Sequence, residues 1–340
     1  MKVLVATYHT LPGYSGGWTT PLDLLEKDHD VRYVAARGFG GHYELEGIPV
    51  HGLRMIFRNN SVSGLKGRLS KKVSEIAFGL TIMREFRVFQ PDFVLCLDML
   101  SARRCISLGL PYALRIHTQP ITTPPAEIER LLNGALFATL CPSVSIPGVE
   151  VLPHTEDLDR FTYIEHPSAK EVVLVSSLDS IRRPMLFIEG VMKSSLNGTI
   201  AGDGPLRKEI ERACASSGGK LTYHEPVLRT ELPAFLNRFQ IGVACYRKVQ
   251  EIYQMKVPEY QASGIYPLVM PWTHLAIEAP ELTGIFETPE ELAACIDDTA
   301  KHWHETLDRR RKGRDFALKY YHVTHARQRF REILEESGLI

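Results

Sequence analysis

Short apolar runs alternate with segments of helical periodicity along most of the 340 residues. In the first half, these runs predict strands at 3–7, 31–35, 48–53, 93–96, 112–116, 136–140 and 149–152. In the second half, they predict strands at 172–176, 198–201, 221–223, 241–245, 266–270 and 284–286. Apolar strands that alternate with helices are typical of parallel sheets covered by helices. The pattern therefore predicts an α/β chain with doubly wound sheets.

A long helix is predicted between the third and fourth strands, because apolar residues recur there at helical spacing. This apolar stripe consists of Leu65, Leu69, Val73, Ile76, Leu80 and Met83. A basic face on the opposite side would consist of Lys66, Arg68, Lys71 and Lys72. Such a face could touch an anionic membrane surface or a charged acceptor. A solvated helix surface is the simpler alternative, and both interpretations stay open.

The segment 160–169 has no clean periodicity and is predicted to connect two domains. The first domain is assigned to 1–160, the second to 161–310, and a charged helical segment to 311–340. A length of 340 residues agrees with two domains. Two doubly wound domains would leave a cleft between them, and such folds bind ligands at the carboxyl ends of their strands.

The bulk composition is that of an ordinary globular protein, with 44% hydrophobic and 24% charged residues. A net charge of +0 gives no electrostatic reason to expect nucleic acid as a partner. The six cysteines form no Cys-x-x-Cys pair and are predicted to be buried thiols in a reducing compartment. A strand begins at once and no apolar run reaches about 18 residues, so neither a signal peptide nor a transmembrane helix is predicted. The predicted location is cytoplasmic, with peripheral contact at the inner membrane surface as an option.

Two carboxylates lie eight residues apart, at Glu251 and Glu259. Pro258 suits the first position of a short helix, and Gly264 suits its end. Glu251 would then lie in a loop and Glu259 at a helix N-terminus, where exposed N–H groups favour a phosphate. Carboxylates also accept hydrogen bonds from sugar hydroxyls. The pair therefore suits a phosphorylated, polyhydroxylated ligand, although an exposed acidic loop before an ordinary helix gives the same pattern.

Two turns that contain glycine follow predicted strands and precede helical segments. Gly16 and Gly17 follow the first strand, where glycines let backbone amides approach an oxyanion. Gly202 opens a Gly-Asp-Gly-Pro turn after the strand at 198–201. The segment with Gly16 and Gly17 is neither a G-x-G-x-x-G motif nor a P-loop. Both turns are interpreted as ligand-binding, with ordinary turn chemistry as the alternative.

Cationic side chains and one histidine also lie near predicted strand ends. Arg182 and Arg183 follow a strand through a short loop, and arginine suits bidentate binding of phosphate oxygens. Lys256, between the two carboxylates, is a further cation that could stabilise a leaving diphosphate. His117 lies just past a strand end and is interpreted as a substrate contact. A solvated basic pair and a structural histidine are the alternatives.

No set of residues is predicted to bind a metal. Asp157-Leu-Asp159 looks like a metal-binding D-x-D, but its context fits a turn between domains better. Four histidines in the charged terminal region lack partners at ligand spacing and are interpreted as surface residues: His302, His304, His322 and His325.

Taken together, these segments resemble the retaining, GT-B-fold glycosyltransferases of family 4, in order along nearly the whole chain. The matching segments are Gly16-Gly17, 40–53, 90–94, 110–117, 152–161, 202–205, 231–236, the Glu251 and Glu259 pair, and 262–269. The resemblance implies a GT-B fold of two Rossmann-like, doubly wound domains that face a cleft. It also implies a C-terminal helix that crosses back to the N-terminal domain.

The resemblance implies roles for the matching residues. Glu259 would hold the ribose hydroxyls of a nucleotide, and Glu251 would face the hydroxyls of the donor sugar near its anomeric centre. His117 would line the sugar pocket. Backbone near Val227 and Leu228 would hold the base. Glu251 and His117 are therefore the catalytic candidates, and the others are candidates for donor binding.

The phosphate contacts are where the sequence departs most from the family pattern. The glycine pair after the first strand would contact the diphosphate or the acceptor side, as the resemblance implies. The family's Gly-Arg pair after the first strand of the second domain is Ser176-Ser177 here. A phosphate-binding arginine is therefore missing at its usual place. Arg182 or Arg183 would have to supply that charge.

The leading prediction is a metal-independent retaining glycosyltransferase that uses a nucleotide-diphosphate sugar, with a UDP-sugar favoured over a GDP-sugar. The acceptor is an unknown glycan or lipid-linked molecule, in glycan, glycolipid or polysaccharide biosynthesis. No cofactor beyond the nucleotide-sugar co-substrate is expected, since cationic side chains can stabilise the leaving diphosphate. Two alternatives stay open: a nucleotide-sugar epimerase on the same fold, and a degenerate member that binds nucleotide or glycan without turnover.

Overall fold

The structure of the chain is a computed structural model. It describes residues 1–8, 25, 29–35, 41–45, 48–52, 65–116, 123–140, 146–152, 155–247 and 254–340. These residues form two compact units. The first comprises Met1–His154 together with Thr324–Ile340, and the second comprises Thr155–Val323.

The first unit is built on one large sheet. Its strands are β1 (Lys2–Thr7), β2 (Asp30–Ala35), β3 (Gly41–Leu45), β4 (Ile48–Gly52), β5 (Phe93–Cys96), β6 (Tyr112–Ile116), β7 (Ala138–Leu140) and β8 (Glu150–Val151). The sheet has the order β3-β4-β2-β1-β5-β6-β7-β8. Only β3 with β4 is antiparallel among the strand pairs that the structure describes here. The described helices of this unit are α1 (Leu65–Phe89), α2 (Met99–Leu108), α3 (Pro125–Asn133) and α11 (Val323–Glu336).

The second unit is a fully parallel, six-stranded sheet. Its strands are β9 (Glu171–Val175), β10 (Asn197–Ala201), β11 (Leu221–His224), β12 (Ile241–Ala244), β13 (Tyr266–Val269) and β14 (Gly284–Ile285), in the order β11-β10-β9-β12-β13-β14. Its helices are α4 (Pro184–Lys193), α5 (Arg207–Ala215), α6 (Leu232–Leu236), α7 (Lys256–Ala262), α8 (His274–Glu278), α9 (Pro289–Lys301) and α10 (Leu307–Tyr321). Short 3₁₀ turns occupy Leu158–Arg160, Pro280–Leu282 and Trp303–Thr306.

All thirteen predicted strands are confirmed. They could be predicted because buried strands such as Phe93–Cys96 are apolar at every position. Strand β3 is the one that the prediction lacks. Its sequence, Gly-His-Tyr-Glu-Leu, has few apolar positions, and it lies at the edge of the sheet with β4 as its partner. An edge strand needs no continuous apolar run, so the pattern that finds buried strands does not find it.

Helix α11 completes the hydrophobic core of the first unit. Ala326, Phe330, Ile333 and Leu334 are buried in the same cluster as side chains of β1, β2 and β5. The Phe330 ring packs edge-to-face against Phe137, with the ring centroids 5.7 Å apart. The prediction that the C-terminal helix returns to the N-terminal half is confirmed.

The orientation predicted for the long helix is wrong. In α1 the buried side chains include Phe78, Ile82 and Phe89, which pack into the core of the first unit. Val73 and Leu80, from the predicted apolar stripe, are instead 47% and 60% exposed. Both faces of this helix carry apolar residues, so the spacing alone could not decide which one meets the sheet.

The segment predicted to connect the domains packs within the second unit. The backbone N–H of Ile164 donates to the Ser263 carbonyl at 3.2 Å, and the Trp303 indole donates to the His166 carbonyl at 2.8 Å. The chain divides earlier, between His154 and Thr155.

Four of the cysteines predicted to be buried thiols are buried and free: Cys96, Cys105, Cys214 and Cys245. Cys295 is half-buried, and Cys141 lies outside the described residues. Within the described part of the chain, no helix combines the length and apolar character needed to cross a membrane.

The turn at Gly202 fastens the ends of β9 and β10 together. Leu178 donates its N–H to the Asp203 carbonyl at 2.8 Å, and Leu206 donates to the Leu178 carbonyl at 2.9 Å. Gly202 has a φ of +148°, and a Cβ there would lie 1.8 Å from the Ser176 carbonyl oxygen. Only glycine fits this close approach, so the glycine is explained by packing as well as by any ligand.

Replacing Gly202 by alanine should therefore destabilise the second unit by at least about 3 kcal/mol, from a steric clash added to backbone strain. Gly218 is the matched control, since it has a φ of +64° and a Cβ added there would have no neighbouring atom within 4 Å. Gly218→Ala should cost only about 1 kcal/mol. Urea unfolding followed by circular dichroism compares the two variants, and equal losses would contradict the packing described here.

Candidate functional site

The carboxyl ends of the central strands of the second sheet bring four short segments to one edge. These are Ser176–Leu178 after β9, Gly202–Gly204 after β10, Glu225–Leu228 after β11 and Cys245–Arg247 after β12. Parallel strands in register end on the same side, which explains why residues distant in sequence meet here. Helix α7 begins close by, because its Lys256 side chain reaches Ser176.

Glu259 is a buried carboxylate on α7, with 4% of its surface exposed. The helix begins at Lys256 rather than at Pro258, so the predicted helix start is two residues late and Glu259 lies in the first turn. No hydrogen bond to its carboxylate occurs within the described part of the chain. Burial, followed by the charge of Glu156, raises the pKa of Glu259 to about 8. The carboxylate is thus held among charged groups with its acceptor capacity unused by described residues.

Glu156 and two arginines form the charged surroundings of Glu259. Arg229 Nη2 lies 2.6 Å from Glu156 Oε1, and both residues are buried. Arg160 donates to the Arg229 carbonyl at 3.0 Å, and its Nη1 lies 3.5 Å from Glu156 Oε1. Breaking a buried ion pair costs more than making it gains, so the three side chains hold one another in place. The sequence prediction missed this network, because its members are far apart in the chain and match no motif.

Lys256 carries a positive charge to the carboxyl end of β9. Its Nζ donates to Ser176 Oγ at 3.0 Å. Burial, followed by the charge of Arg182, lowers the pKa of Lys256 to about 8. A cation that is partly desolvated gains more than a solvated one when an anion arrives beside it. Lys256 therefore lies next to Ser177, which stands where the resemblance leads one to expect a phosphate-binding arginine.

Arg182 lies in a loop that Asp179 organises. Asp179 accepts the N–H groups of Ile181 and Arg182 at 2.9 Å each, and its Oδ2 lies 2.8 Å from Arg182 Nη1. The guanidinium carbon lies 5.3 Å from the centre of the Tyr246 ring. Arg182 is therefore held by a carboxylate and an aromatic face, on the side of the sheet where Lys256 lies.

Arg183 precedes α4 in a left-handed backbone conformation, with a φ of +44°. Such a conformation costs about 1 kcal/mol or more for a residue other than glycine. The hydrogen bond from the Arg247 N–H to the Ile181 carbonyl, at 2.9 Å, ties the same loop to the end of β12. The loop follows β9 and is hydrogen-bonded to the segment after β12, so Arg182 and Arg183 lie near the carboxyl ends of these strands. The sequence predicts this position for both arginines.

The predicted base-binding segment lies after β11. Val227 is buried in the hydrophobic cluster that includes Phe235 and Tyr260, whereas the side chain of Leu228 is 43% exposed. The Leu228 carbonyl accepts the N–H groups of Glu231 and Leu232 at 3.0 and 2.9 Å. The Leu228 carbonyl therefore already accepts hydrogen bonds from the start of α6.

Four of the predicted site residues lie outside the residues that the structure describes: Glu251, His117, Gly16 and Gly17. Their assignments stay predictions. The seven predicted residues that the structure describes are all in the second unit: Glu259, Lys256, Arg182, Arg183, Gly202, Val227 and Leu228.

Asp157, Asp159 and His322 lie close together, with one ligand atom of each within 4.8 Å of the others. His322 Nε2 lies 3.2 Å from Asp159 Oδ2. The proximity arises because Glu156 and His322 form a short parallel bridge between the two chain segments. The interpretation of His322 as a surface residue is therefore wrong, since only 14% of its side chain is exposed. Such donor atoms could hold a divalent metal, but the side chain of Asp159 is 77% exposed.

Comparison with known proteins finds similar folds and one matching family model. Residues 182–335 match a family model described as glycosyl transferase-like. No curated protein sequence matches the chain. Among solved structures, Anabaena HepE in complex with UDP-glucose superposes with a TM-score of 0.74 at 13% identity, over 99% of this chain and 100% of that one. Sucrose-phosphate synthase from Thermosynechococcus elongatus gives 0.75 at 12% identity, over 98% of each chain.

The chain has the GT-B fold. A glycosyltransferase from Rickettsia africae also superposes on it, with a TM-score of 0.71 at 11% identity over 99% of this chain and 98% of that one. The predicted resemblance to GT-B glycosyltransferases is confirmed. The matched glycosyl transferase-like segment contains Arg182, Arg183, Lys256 and Glu259.

The raised pKa of Glu259 predicts a pH-dependent stability. A carboxyl group that takes up its proton more readily when folded stabilises the chain below its unfolded pKa of 4.5, and this stability is lost as the pH rises to about 8. Glu259→Gln does not titrate. Its free energy of unfolding relative to wild type should therefore rise by at least about 1.5 kcal/mol between about pH 5 and about pH 8.

The titration of Lys256 does not interfere with this measurement. The pKa of Lys256 is about 8 in the folded chain and 10.5 in the unfolded chain, so the stability that it contributes is present above pH 10.5 and is lost as the pH falls through about 8. The change due to Lys256 therefore lies above the window used for Glu259. Glu209→Gln, which removes an exposed carboxyl group on α5, is the control. Urea unfolding at each pH measures the effect, and a constant difference for Glu259→Gln would contradict the burial of an ionisable carboxyl.

Proposed function

We propose that this chain is a retaining glycosyltransferase of family 4 and that Glu259 holds the hydroxyls of its nucleotide-sugar donor. The observation that carries the proposal is a buried carboxylate near Lys256, at the strand ends of a glycosyl transferase-like segment. Carboxylate oxygens accept hydrogen bonds from neighbouring ribose hydroxyls, and cations suit a diphosphate. HepE was solved with UDP-glucose, and we favour a UDP-sugar over a GDP-sugar here.

In the proposed reaction, the bond between the anomeric carbon and the diphosphate oxygen breaks while the acceptor oxygen bonds to the same face of the sugar. The acceptor's proton passes to the leaving diphosphate, so no enzyme nucleophile is needed. Negative charge grows on the diphosphate as the bond breaks. Lys256, Arg182 and Arg183 supply compensating charge. Glu251 and His117 contact the donor sugar, and the amides at Gly16 and Gly17 contact the diphosphate or the acceptor side.

Backbone at Gly202 and near Val227 and Leu228 completes the proposed donor site. We infer that no metal is required, because cationic side chains can carry the charge compensation that a divalent ion would otherwise supply. The acceptor is proposed to be a glycan or a lipid-linked molecule on the cytoplasmic side. The membrane contact through Lys66, Arg68, Lys71 and Lys72 stays a prediction.

Above about pH 8, where Glu259 is ionised, Glu259→Gln should weaken binding of UDP by about tenfold or more, since a lost hydrogen bond to a charged group costs roughly 1.5–3 kcal/mol. Glu251→Ala should lower turnover more than it lowers UDP affinity, because its proposed partner is the sugar. Calorimetric titration with UDP and release of UDP from a UDP-sugar panel measure the two effects, both with EDTA present. Glu209→Gln is the control. Unchanged affinity and turnover in both variants would refute the site, and activity that needs added metal would refute metal independence.

The cations can be ranked by a second comparison. Lys256→Met and the double change Arg182→Ala with Arg183→Ala should each lower kcat/KM by at least about 100-fold, a loss of roughly 2.7 kcal/mol. Lys208→Met, at an exposed position on α5, should leave kcat/KM unchanged. If the arginine variant retains native kinetics, Lys256 alone compensates for the arginine missing at Ser177. Native kinetics in both variants would contradict a diphosphate at this strand edge.

The two alternatives give different products from the same assay. An epimerase would interconvert nucleotide sugars without release of UDP. A protein that only binds would show UDP affinity that depends on Glu259, with no donor turnover. The serine at position 177, where the family has an arginine, is the feature that favours this last alternative.

A further inference from the structure

The outer face of α1 is apolar and cationic at once. Val73, Ile76, Leu80 and Val88 are 47%, 49%, 60% and 67% exposed. They are four of the thirteen large hydrophobic side chains that are exposed in the described part of the chain. The other nine are scattered over several elements, so the clustering on one helix is what requires an explanation.

Helical geometry places these residues on one side. At about 100° per residue, the exposed positions 72, 73, 76, 80, 84, 87 and 88 fall within a single arc of about 160°. Lys72, Arg84 and Arg87 are exposed within that arc and take part in no ion pair with described residues. We call this set of seven residues the outer face of α1.

Among the residues that the structure describes, no carboxylate pairs with these cations. Between Lys72 and Phe89 the helix contains only two acidic residues. Glu75 Oε2 lies 3.2 Å from Arg104 Nη2, and Glu85, which is buried, lies 3.2 Å from Arg32 Nη1. Both acids are therefore turned toward the protein and paired there. The outer face offers aliphatic side chains and positive charge only.

The opposite face anchors the helix to the sheet. Phe78 and Ile82 are fully buried, and Phe89 is 5% exposed. The guanidinium of Arg32 lies 4.5 Å from the centre of the Phe89 ring. The helix therefore cannot turn its aliphatic row inward without emptying the core of the first unit. Any partner must come to the outer face.

We propose that the outer face of α1 binds an anionic lipid bilayer, with the helix axis parallel to the membrane surface. Aliphatic side chains enter the boundary between headgroups and acyl chains, and Lys72, Arg84 and Arg87 meet lipid phosphates. A protein partner fits less well, because interface centres are enriched in aromatic residues and this face has none. The proposal adds insertion of an apolar row to the electrostatic contact that is predicted for the basic residues 66–72. It does not depend on sugar transfer.

The test measures flotation of the purified chain with vesicles, without nucleotide sugar. Vesicles of phosphatidylcholine with an equal amount of phosphatidylglycerol should bind the protein, and pure phosphatidylcholine should bind it at least about tenfold more weakly. Raised salt should weaken binding to the anionic vesicles. Two double variants, Ile76→Ser with Leu80→Ser and Arg84→Gln with Arg87→Gln, should each lower the partition coefficient by about tenfold or more.

Matched controls change equally exposed residues elsewhere. Ile277→Ser with Met192→Ser removes two side chains that are 55% and 46% exposed, and Lys208→Gln with Lys301→Gln removes two exposed cations. Both controls should bind vesicles as the wild type does. All changes lie at the surface, so thermal unfolding should confirm that each variant is folded.

Several results would overturn the proposal. Wild-type protein that does not float with anionic vesicles would do so, as would binding that survives both α1 variants. Equal binding to neutral and anionic vesicles would contradict the proposed contacts between the cations and lipid phosphates. A concentration-dependent dimer that Leu80→Ser disrupts, with no vesicle binding, would instead assign this face to contact between copies of the chain.

Discussion

A buried carboxylate that no described residue hydrogen-bonds is the constraint on which the candidate site depends. Glu259 has 4% of its surface exposed, and burial raises its pKa to about 8. Such a group is costly to keep without a partner, because its lost hydration is not replaced. A ligand that offers hydroxyl groups to it would restore what burial removes.

The surrounding charges are arranged so that they do not satisfy Glu259 themselves. Arg229 and Arg160 are committed to Glu156, and Lys256 donates to Ser176. Were an arginine to pair directly with Glu259, the carboxylate would be an ordinary buried ion pair with little to offer a ligand. The tie between the β9 and β10 ends at Gly202 keeps Ser176 in reach of Lys256. The packing of the strand ends therefore also determines where the positive charge of Lys256 lies.

The sequence predicts the parts of this structure that depend on local pattern. The buried strands are apolar at successive positions, and that pattern locates each of them. The outward face of α1 is not predictable in the same way, because Val73, Ile76 and Leu80 have the spacing of a core-facing stripe. What distinguishes the two faces is the competing set of Phe78, Ile82 and Phe89, two of them aromatic, whose side chains are buried in the core of the first unit. That choice is made by tertiary packing and not by periodicity.

The candidate site divides in the same way. Arg182 can be found from its position after a strand, Glu259 from the predicted start of a helix, and Lys256 from its place between the two carboxylates. The pairing of Glu156 with Arg229 joins residues 73 positions apart, and no local signal announces it. The start of α7 at Lys256 is missed because proline favours a first helical position but tolerates any place in the first turn.

The packing of α11 sets an order on folding during synthesis. The core of the first unit contains Phe330 and Leu334 beside strands that lie more than two hundred residues earlier in the chain. Residues 155–323, which form the second unit, are synthesised before those side chains. The N-terminal half therefore keeps part of its hydrophobic surface uncovered until the end of synthesis. The segment made first is the one completed last, and its exposed surface in that interval is where chaperones would have most to bind.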